Sequence, residues 1–220
     1  MDSIPVIAID GPTASGKGAI AHRVADALLW HYLDSGALYR VAAFVALEQG
    51  LDLDSEFALA HMASQLKPRF LADQIFLGEQ DLSLAIRAEQ VGTTASRIAV
   101  FPALRVALFS LQRSFLREPG LVADGRDMGT VVFADAALKV FLTANAEIRA
   151  QRRYKQLIEK GFSANLPALL ADLKQRDERD ANRATAPLKP AEDAMLVDSS
   201  ALTIEEVVNT VLWAWQQRKV

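Results

Sequence analysis

The 220-residue chain has no cysteine and only three histidines, His22, His31 and His61. Without cysteine there is neither a disulfide framework nor a thiolate zinc site. The histidines lie too far apart for a recognisable metal-binding spacing, so we expect no structural metal. Charge of either sign is not in excess, with 24 lysines and arginines against 27 acidic residues. This balance argues against a general polyanion-binding surface, and we expect no nucleic-acid partner.

Long apolar runs are also missing, since no segment approaches the roughly 18 consecutive apolar residues that span a membrane. The start, Met1-Asp-Ser-Ile-Pro, lacks the basic and then apolar segments of a secretory signal. We therefore expect a soluble, cytoplasmic protein with no membrane partner, and a monomer. The chain is long enough to bury most of its unfolded surface in one core with elaborations.

Short apolar runs typical of strands alternate with helical patterns along most of the chain. The runs lie at 6–9, 32–33, 121–123, 138–142 and 195–197, and helices are predicted at 17–29, 36–48, 55–65, 88–117 (a broken pair), 146–160, 166–183 and 203–218. This alternation predicts an α/β protein, with a parallel sheet covered on both faces by helices. In the broken pair, Gly92 is predicted to interrupt the first helix and Pro102 to begin the second. Thr203 and Glu206 form a capping-box pattern that starts the last helix.

Residues 67–87 break the alternation, because short β-type runs are separated there by turn residues such as Gly78-Glu79. The pattern predicts a small antiparallel insert. It is a candidate substrate-side subdomain, and the alternative is an excursion without function, since loops tolerate insertions.

The most informative motif, Gly11-Pro-Thr-Ala-Ser-Gly-Lys17, follows the first strand and runs into a helix. Such a loop directs several backbone N–H groups and a helix N-terminus at one point, which is an anion site for di- and triphosphates. Lys17 is expected to reach the β- and γ-phosphates. The predicted phosphate-binding residues are Gly11, Pro12, Thr13, Ala14, Ser15, Gly16, Lys17, Gly18 and Ala19.

The loop departs from the usual pattern directly after its lysine. The Ser or Thr whose hydroxyl normally holds Mg²⁺ is Gly18 here, and Ala19 follows it. Because neither residue offers an oxygen ligand, the metal must be held from elsewhere or through water.

In an open α/β sheet, ligands bind beyond the carboxyl ends of the strands, so the residues that follow the strands are the candidates for ligand binding. Ser35 follows the second strand and suits a plain helix N-cap, whereas Arg40, slightly further on, suggests a phosphate contact. Asp124 ends a core strand, in the position of a Walker-B carboxylate, and is our candidate for binding Mg²⁺ through water. The alternative for Asp124-Gly-Arg-Asp127 is a turn with an ordinary surface ion pair.

A third group of candidates lies on the helix predicted at 166–183. Arg176, Asp180 and Arg183 share one face there, whereas Asp177 and Glu178 point elsewhere. A solvated helix with surface ion pairs is the simpler explanation.

Three arginines on the preceding helix favour a functional role for this one. Arg149, Arg152 and Arg153 would form an arginine-rich hairpin with it, connected through Lys160-Gly-Phe-Ser163. Arginine suits bidentate phosphate binding, so the hairpin is predicted to be a lid. Ser96 and Arg105, on either side of Pro102, signal nothing by themselves.

Four motifs together resemble the bacterial-type cytidylate (CMP) kinase family, in order and over almost the whole chain. They are Gly11-x4-Gly-Lys-Gly18, Asp34-Ser-Gly-Ala-Leu-Tyr-Arg40, Asp124-Gly-Arg-Asp-Met-Gly-Thr-Val-Val-Phe133 and Arg176-Asp-Glu-Arg-Asp-x-Asn-Arg183. The resemblance implies a three-layer P-loop kinase fold with a central five-stranded parallel sheet, a small antiparallel β-containing acceptor-binding insert and a helical lid. The implied boundaries are a core of 1–63, 94–145 and 190–220, an insert of about 64–93 and a lid of about 146–189.

The resemblance also implies transfer of the γ-phosphoryl group of ATP, with Mg²⁺, to CMP and dCMP. Lys17, Arg126 and Arg183 would be catalytic; Ser35, Arg40, Arg126 and Arg183 would bind the acceptor phosphate; Ser96, Arg105 and Asp127 would read the cytosine edge; Arg176 and Asp180 would face the sugar. The base assignment fits elementary chemistry, because a carboxylate beside an arginine matches the N4 donor and the N3/O2 acceptors of cytosine.

The family usually has the pattern G-P-[SA]-G-[SA]-G-K-G-T or a close variant, whereas this chain has Ala14 for the second glycine and Ala19 for the threonine. Ala14 restricts the backbone, and Ala19 lacks a hydroxyl worth about 0.5–1.5 kcal/mol as a neutral hydrogen bond. Weaker ATP binding is expected, without loss of activity. Two alternatives stay open: another small-molecule P-loop kinase, or a catalytically weakened nucleotide-binding regulatory module.

Overall fold

The computed structural model describes residues 4–71, 74–159, 161 and 163–218. Parts of three predictions fall outside these residues: positions 72 and 73 of the insert, residue 160 at the predicted end of a helix, and residues 160 and 162 of the connection within the lid. The chain forms two compact units, one comprising the residues up to Leu33 together with those from Phe115 onward, the other Asp34–Ser114.

The helices and strands follow the order predicted from the sequence. They are β1 (Val6–Asp10), α1 (Lys17–Leu28), β2 (His31–Asp34), α2 (Ser35–Glu48), α3 (Glu56–Ser64), β3 (Pro68–Leu71), β4 (Gln74–Leu77), β5 (Gln80–Asp81), α4 (Glu89–Ile98), α5 (Pro102–Arg113), β6 (Leu121–Gly125), β7 (Leu138–Thr143), α6 (Ala146–Glu159), α7 (Leu166–Asn182), β8 (Met195–Asp198) and α8 (Ile204–Gln217). Two single turns accompany them, a 3-10 turn at Ala85–Arg87 and a π-helical turn at Met128–Val132.

The first unit contains a five-stranded parallel sheet in the order β2-β6-β1-β7-β8. Every residue of β1 and of β6 is buried, as expected for central parallel strands covered on both faces. β1 pairs with β6 from Val6 opposite Leu121 to Asp10 opposite Gly125. The carboxyl ends of β1 and β6 therefore meet at one edge of the sheet. The predicted α/β fold is confirmed.

The core of this unit joins the sheet to α1 and α8. Ile7, Ile9, Ile20, Val24 and Val211 are fully or almost fully buried in it. The capping box predicted for the last helix is present and fixes the start of α8. The apolar faces of α1 and α8 thus hold the helix that follows the phosphate loop against the sheet.

The second unit packs α2 to α5 around their own apolar core and carries the antiparallel sheet β3-β4-β5. The antiparallel insert predicted from its turn residues is therefore confirmed. Pro102 begins α5, also as predicted.

Two local predictions in this unit are wrong. Gly92 does not interrupt the helix but lies inside α4, where a Cβ would stand only 2.7 Å from the Arg40 guanidinium. The N-cap residue of α2 is Asp34 and not Ser35, because the Asp34 side chain accepts a hydrogen bond from Ala37 N at 2.9 Å. Both corrections concern the immediate surroundings of Ser35 and Arg40, which are candidate phosphate ligands.

No single helix in the described part of the chain is long and apolar enough to cross a membrane. By length and composition alone, the consecutive helices α4 and α5 pass such a test together, but they are bent by 108° at the break between them.

Candidate active site

The phosphate loop connects β1 to α1 and begins with a close backbone approach. A Cβ built on Gly11 would stand 2.1 Å from the Leu142 carbonyl oxygen of β7. Any side chain at position 11 would push the loop away from the sheet, so glycine is required there. The first glycine of the motif thus anchors the loop to the strand beside β1.

Two further loop residues adopt left-handed backbone angles, Ala14 with φ +60° and Gly16 with φ +93°. Glycine adopts these angles without cost, whereas the Cβ of alanine clashes with the backbone. Ala14 stands where the family pattern has glycine, so the substitution places strain in the phosphate loop itself.

Replacing Ala14 by glycine is expected to stabilise the protein by about 0.5–1 kcal/mol, because it removes left-handed strain at some cost in unfolded-chain entropy. The thermal unfolding midpoint should rise by about 1–4 °C. The control is Ala107→Gly, in the helical interior of α5, which should lose about 1 kcal/mol. Calorimetry of both variants checks the sign, and a destabilised Ala14→Gly would contradict the prediction.

Lys17 is the first residue of α1 and lies buried beneath the loop. Its Nζ donates a hydrogen bond to the Pro12 carbonyl oxygen at 3.1 Å. The first turn of α1 contains no acidic residue and, among the described residues, no side chain caps it. The positive end of the helix dipole, the backbone N–H groups of the first turn and the Lys17 ammonium group therefore lie together. This combination favours the binding of an anion.

Asp124, at the end of β6, is buried directly beside the loop. A Cβ on Gly18 would lie 3.9 Å from Asp124 Oδ2 and 3.5 Å from the Tyr32 hydroxyl. The Tyr32 hydroxyl donates to Asp124 Oδ1 at 2.8 Å. The space that a Ser or Thr side chain would fill in other loops is thus faced by a carboxylate and a phenol, and Tyr32 was not among the predicted site residues.

Asp10 is a second site residue that the sequence analysis missed. It ends β1, immediately before the loop, and accepts hydrogen bonds from Met128 N and Gly129 N, each at 2.8 Å. These amides open the π-helical turn that follows Asp127, so Asp10 fixes the segment after β6 to the central strand. The sequence did contain a signal for Asp10, because this carboxylate ends a buried strand directly before the first glycine of the loop.

Burial raises the pKa of the Asp10 carboxyl to about 6, against the lowering effect of the Gly129 and Met128 amides. The folded state thus holds the proton more tightly than the unfolded chain, whose pKa is near 3.8. The stabilisation that this provides is complete below pH 4 and is lost as the pH rises to 6. It amounts to about 3 kcal/mol.

The Asp10→Asn variant should lack this pH dependence. We expect the difference in unfolding free energy between variant and wild type to move by about 3 kcal/mol in favour of the variant from pH 3 to pH 7. A difference in unfolding free energy that does not depend on pH remains, because the single amide oxygen of asparagine cannot accept the hydrogen bonds of both Met128 N and Gly129 N as the carboxylate does. Urea titrations at several pH values measure the difference, and one that does not change with pH would refute the expectation.

Arg126 connects the loop to α7. Its Nη2 donates to Thr13 Oγ1 at 2.6 Å, its Nε to Asp180 Oδ2 at 3.1 Å, and its Nη1 to the Gly125 carbonyl oxygen at 3.2 Å. The structure therefore brings together two candidate acceptor-binding residues, Arg126 and Asp180, at the phosphate loop.

Two arginines of the predicted lid also reach the loop, through its carbonyl groups. Arg149 Nη1 donates to the Thr13 carbonyl at 2.9 Å, and the same guanidinium pairs with both carboxylate oxygens of Asp177. Arg152 Nη1 donates to Ser199 Oγ at 3.1 Å and to the Ser15 carbonyl at 3.4 Å. Ser199, which follows β8 and is buried, is a further residue that the sequence analysis missed.

Arg176 and Asp180 lie one turn apart on α7, and Arg183 directly follows the last residue of that helix. Arg176, Asp180 and Arg183 are all buried, with exposed fractions of 4%, 6% and 8%. Arg176 Nε lies 2.8 Å from Asp172 Oδ2, one turn earlier, and Arg183 Nε donates to the Ala186 carbonyl oxygen. A fully solvated helix, the simpler explanation, is wrong for this face.

The second unit positions the other candidates. Arg40 on α2 donates to the Ile86 carbonyl oxygen at 2.8 Å, and Ser35, the first residue of α2, is buried. Arg105 on α5 is buried over the Tyr39 ring, 5.6 Å from its centroid, and donates to the Ala99 carbonyl at the end of α4. Ser96, on α4, lies one turn before that carbonyl.

A phosphate loop between the first strand and first helix of a five-stranded parallel sheet defines a P-loop protein with a kinase-type fold. In its fold, the chain is similar to a gluconokinase from Sinorhizobium meliloti 1021, with a TM-score of 0.50 at 14% identity, covering 99% of this chain and 94% of that one. A family model described as cytidylate kinase matches residues 7–217. The chain belongs to the cytidylate kinase family.

Curated relatives match over the whole length. A cytidylate kinase from Cupriavidus pinatubonensis (strain JMP 134) is 57% identical over 220 residues, which cover all of both chains. A cytidylate kinase from Cupriavidus necator is 59% identical over 212 residues, 96% of each chain. The resemblance found from the motifs is thereby confirmed.

Proposed function

We propose that this protein transfers the γ-phosphoryl group of ATP to CMP and dCMP, giving ADP and the corresponding diphosphate. The observation that carries the proposal is the family match over residues 7–217. The phosphate loop, with Lys17 at the start of α1, supports it as the site for the triphosphate of ATP. A role in pyrimidine nucleotide metabolism in the cytoplasm follows from this reaction as part of the same proposal.

No general base is needed for this reaction, because a nucleoside monophosphate is already anionic near neutral pH. The chain's contribution is to position two anions and to neutralise their charge. We assign this work to Lys17 and to the catalytic arginines Arg126 and Arg183, with Arg149 and Arg152 holding the loop carbonyls. The lid, residues 146–189, is proposed to exclude water from the reacting groups.

The residues proposed to bind the acceptor are those that the family resemblance implies. Ser35, Arg40, Arg126 and Arg183 are assigned to its phosphate, Ser96, Arg105 and Asp127 to the cytosine edge, and Arg176 and Asp180 to its sugar. Uracil has a carbonyl where cytosine has the N4 amino group, so it would present an acceptor to a carboxylate. Discrimination of about 1–3 kcal/mol between CMP and UMP is expected from this mismatch.

Asp124 fits the Mg²⁺ that accompanies ATP. It is a buried carboxylate beside Gly18, and carboxylate oxygens are the ligands that Mg²⁺ accepts alongside water and phosphate. We propose that Asp124 holds the metal through bound water. When bound, Mg²⁺ neutralises charge on the transferring phosphates.

The experiment that tests the function is an acceptor panel with the purified protein, ATP and Mg²⁺, in which ADP formation is followed with CMP, dCMP, UMP and AMP. CMP and dCMP should give the highest kcat/KM. A preference for UMP or AMP would instead indicate another P-loop kinase. The absence of turnover with every acceptor would favour a regulatory nucleotide-binding module, for which the strained Ala14 is the structural argument.

A further inference from the structure

The hydroxyl that P-loops normally offer to Mg²⁺ is missing from this loop, but two side-chain oxygens border the place where it would lie. A Cβ on Gly18 would have the Tyr32 hydroxyl as its nearest neighbour at 3.5 Å, followed by Asp124 Oδ2 at 3.9 Å. A phenol from β2 therefore lies in van der Waals contact with the position from which a side chain at residue 18 would extend.

The Tyr32 hydroxyl also fixes the orientation of the carboxylate beside it. It donates to Asp124 Oδ1 at 2.8 Å, while Oδ2 is the oxygen facing Gly18. Because β2 and β6 are neighbours in the sheet, the two side chains come from adjacent strand ends. The hydrogen bond selects which carboxylate oxygen faces the loop.

The phenol ring itself is held by the helix that follows the loop. The His22 ring of α1 meets the Tyr32 ring edge-on, with centroids 5.4 Å apart. The ring contacts α1 while its hydroxyl contacts β6, so one side chain touches both the loop helix and Asp124. An aliphatic residue at position 32 would supply neither contact.

We propose that Tyr32 is a positioning residue for the Mg²⁺ site, which holds Asp124 with Oδ2 toward the metal-bound water and so compensates for the hydroxyl missing at positions 18 and 19. This rests on the proposed function, in which Asp124 holds Mg²⁺ through water. Residues that orient a metal-binding group commonly change metal affinity or activity by about 10–100-fold when they are replaced.

The test is calorimetric titration of ATP into wild type and Tyr32→Phe, once with excess Mg²⁺ and once with a chelator. Phenylalanine keeps the ring against His22 and removes only the hydroxyl. ATP without metal should bind both proteins equally within about twofold, whereas the tightening caused by Mg²⁺ should fall by about tenfold in the variant. Thr210→Val, which removes a half-buried hydroxyl on α8 that donates to the Glu206 carbonyl oxygen, is the control and should keep the full Mg²⁺ effect.

A double-mutant cycle separates positioning from a general structural role. If Tyr32 acts through Asp124, Asp124→Asn should remove the Mg²⁺ effect and Tyr32→Phe should add nothing to it. If each substitution weakened the Mg²⁺ effect independently, so that the two losses multiplied in the double variant, the proposal would be overturned. An undiminished Mg²⁺ effect in Tyr32→Phe, or no Mg²⁺ effect in wild type, would also overturn it. The titration needs no acceptor, so failure to phosphorylate CMP would count against the proposed function alone.

Discussion

Replacing Lys17 by alanine is expected to lower kcat for phosphoryl transfer to CMP by about 10²–10³-fold. The ammonium group lies at the N-terminus of α1, where it donates to the Pro12 carbonyl at 3.1 Å and is buried with the loop. In the proposed mechanism this ammonium group stabilises the charge that develops on the transferred group, and losing one such donor costs about 10²–10³ in rate. Lys17 is also proposed to bind the β- and γ-phosphates, so kcat/KM for ATP should fall further than kcat.

The measurement is steady-state kinetics of ADP formation, with the unfolding midpoint recorded for each protein. Arg23→Ala is the matched control, because Arg23 lies on the same helix but forms an exposed ion pair with Glu205 on α8. Such exposed pairs contribute little, so the control should retain wild-type kcat and a nearly unchanged midpoint. Unaltered transfer in Lys17→Ala would refute the assignment of the phosphate loop, whatever the acceptor.

Much of the fold could be predicted because its signals are local. Apolar runs such as those in β1 and β6 mark buried parallel strands, and Thr203 with Glu206 marks the start of α8. The loop motif is local too, since its glycines and lysine are separated by fixed spacing. Family membership followed from four such segments in order.

The contacts that assemble the site are not local and could not be predicted. Arg149 and Thr13 are 136 residues apart, and Tyr32 and Asp124 are 92 apart. Each pair depends on which strands are neighbours and on where the helices turn their side chains. The error at Gly92 has the same origin: glycine usually weakens a helix, but here it makes room for the Arg40 guanidinium.

The second large effect is expected at Arg126. The Arg126→Lys variant keeps the charge but cannot reproduce three directed donors, to Thr13 Oγ1, Asp180 Oδ2 and the Gly125 carbonyl. We expect kcat/KM for CMP to fall by about 10²–10³, with most of the loss in kcat, since the guanidinium is assigned to the phosphate that attacks. The KM for ATP should change far less, because its triphosphate is assigned to the backbone amides of the loop and to Lys17.

Kinetics with CMP and ATP varied in turn provide the test, and Arg97→Lys is the control. Arg97 also contacts a carboxylate with its guanidinium, Asp54 at 2.7 Å, but on the exposed surface of the second unit. Its replacement should leave kcat/KM for both substrates within about twofold, since surface pairs of this kind contribute at most about 1 kcal/mol to stability. If Arg126→Lys were equally mild, the three hydrogen bonds would serve only to join the loop to α7, and the acceptor phosphate would have to depend on Arg40 and Arg183 instead.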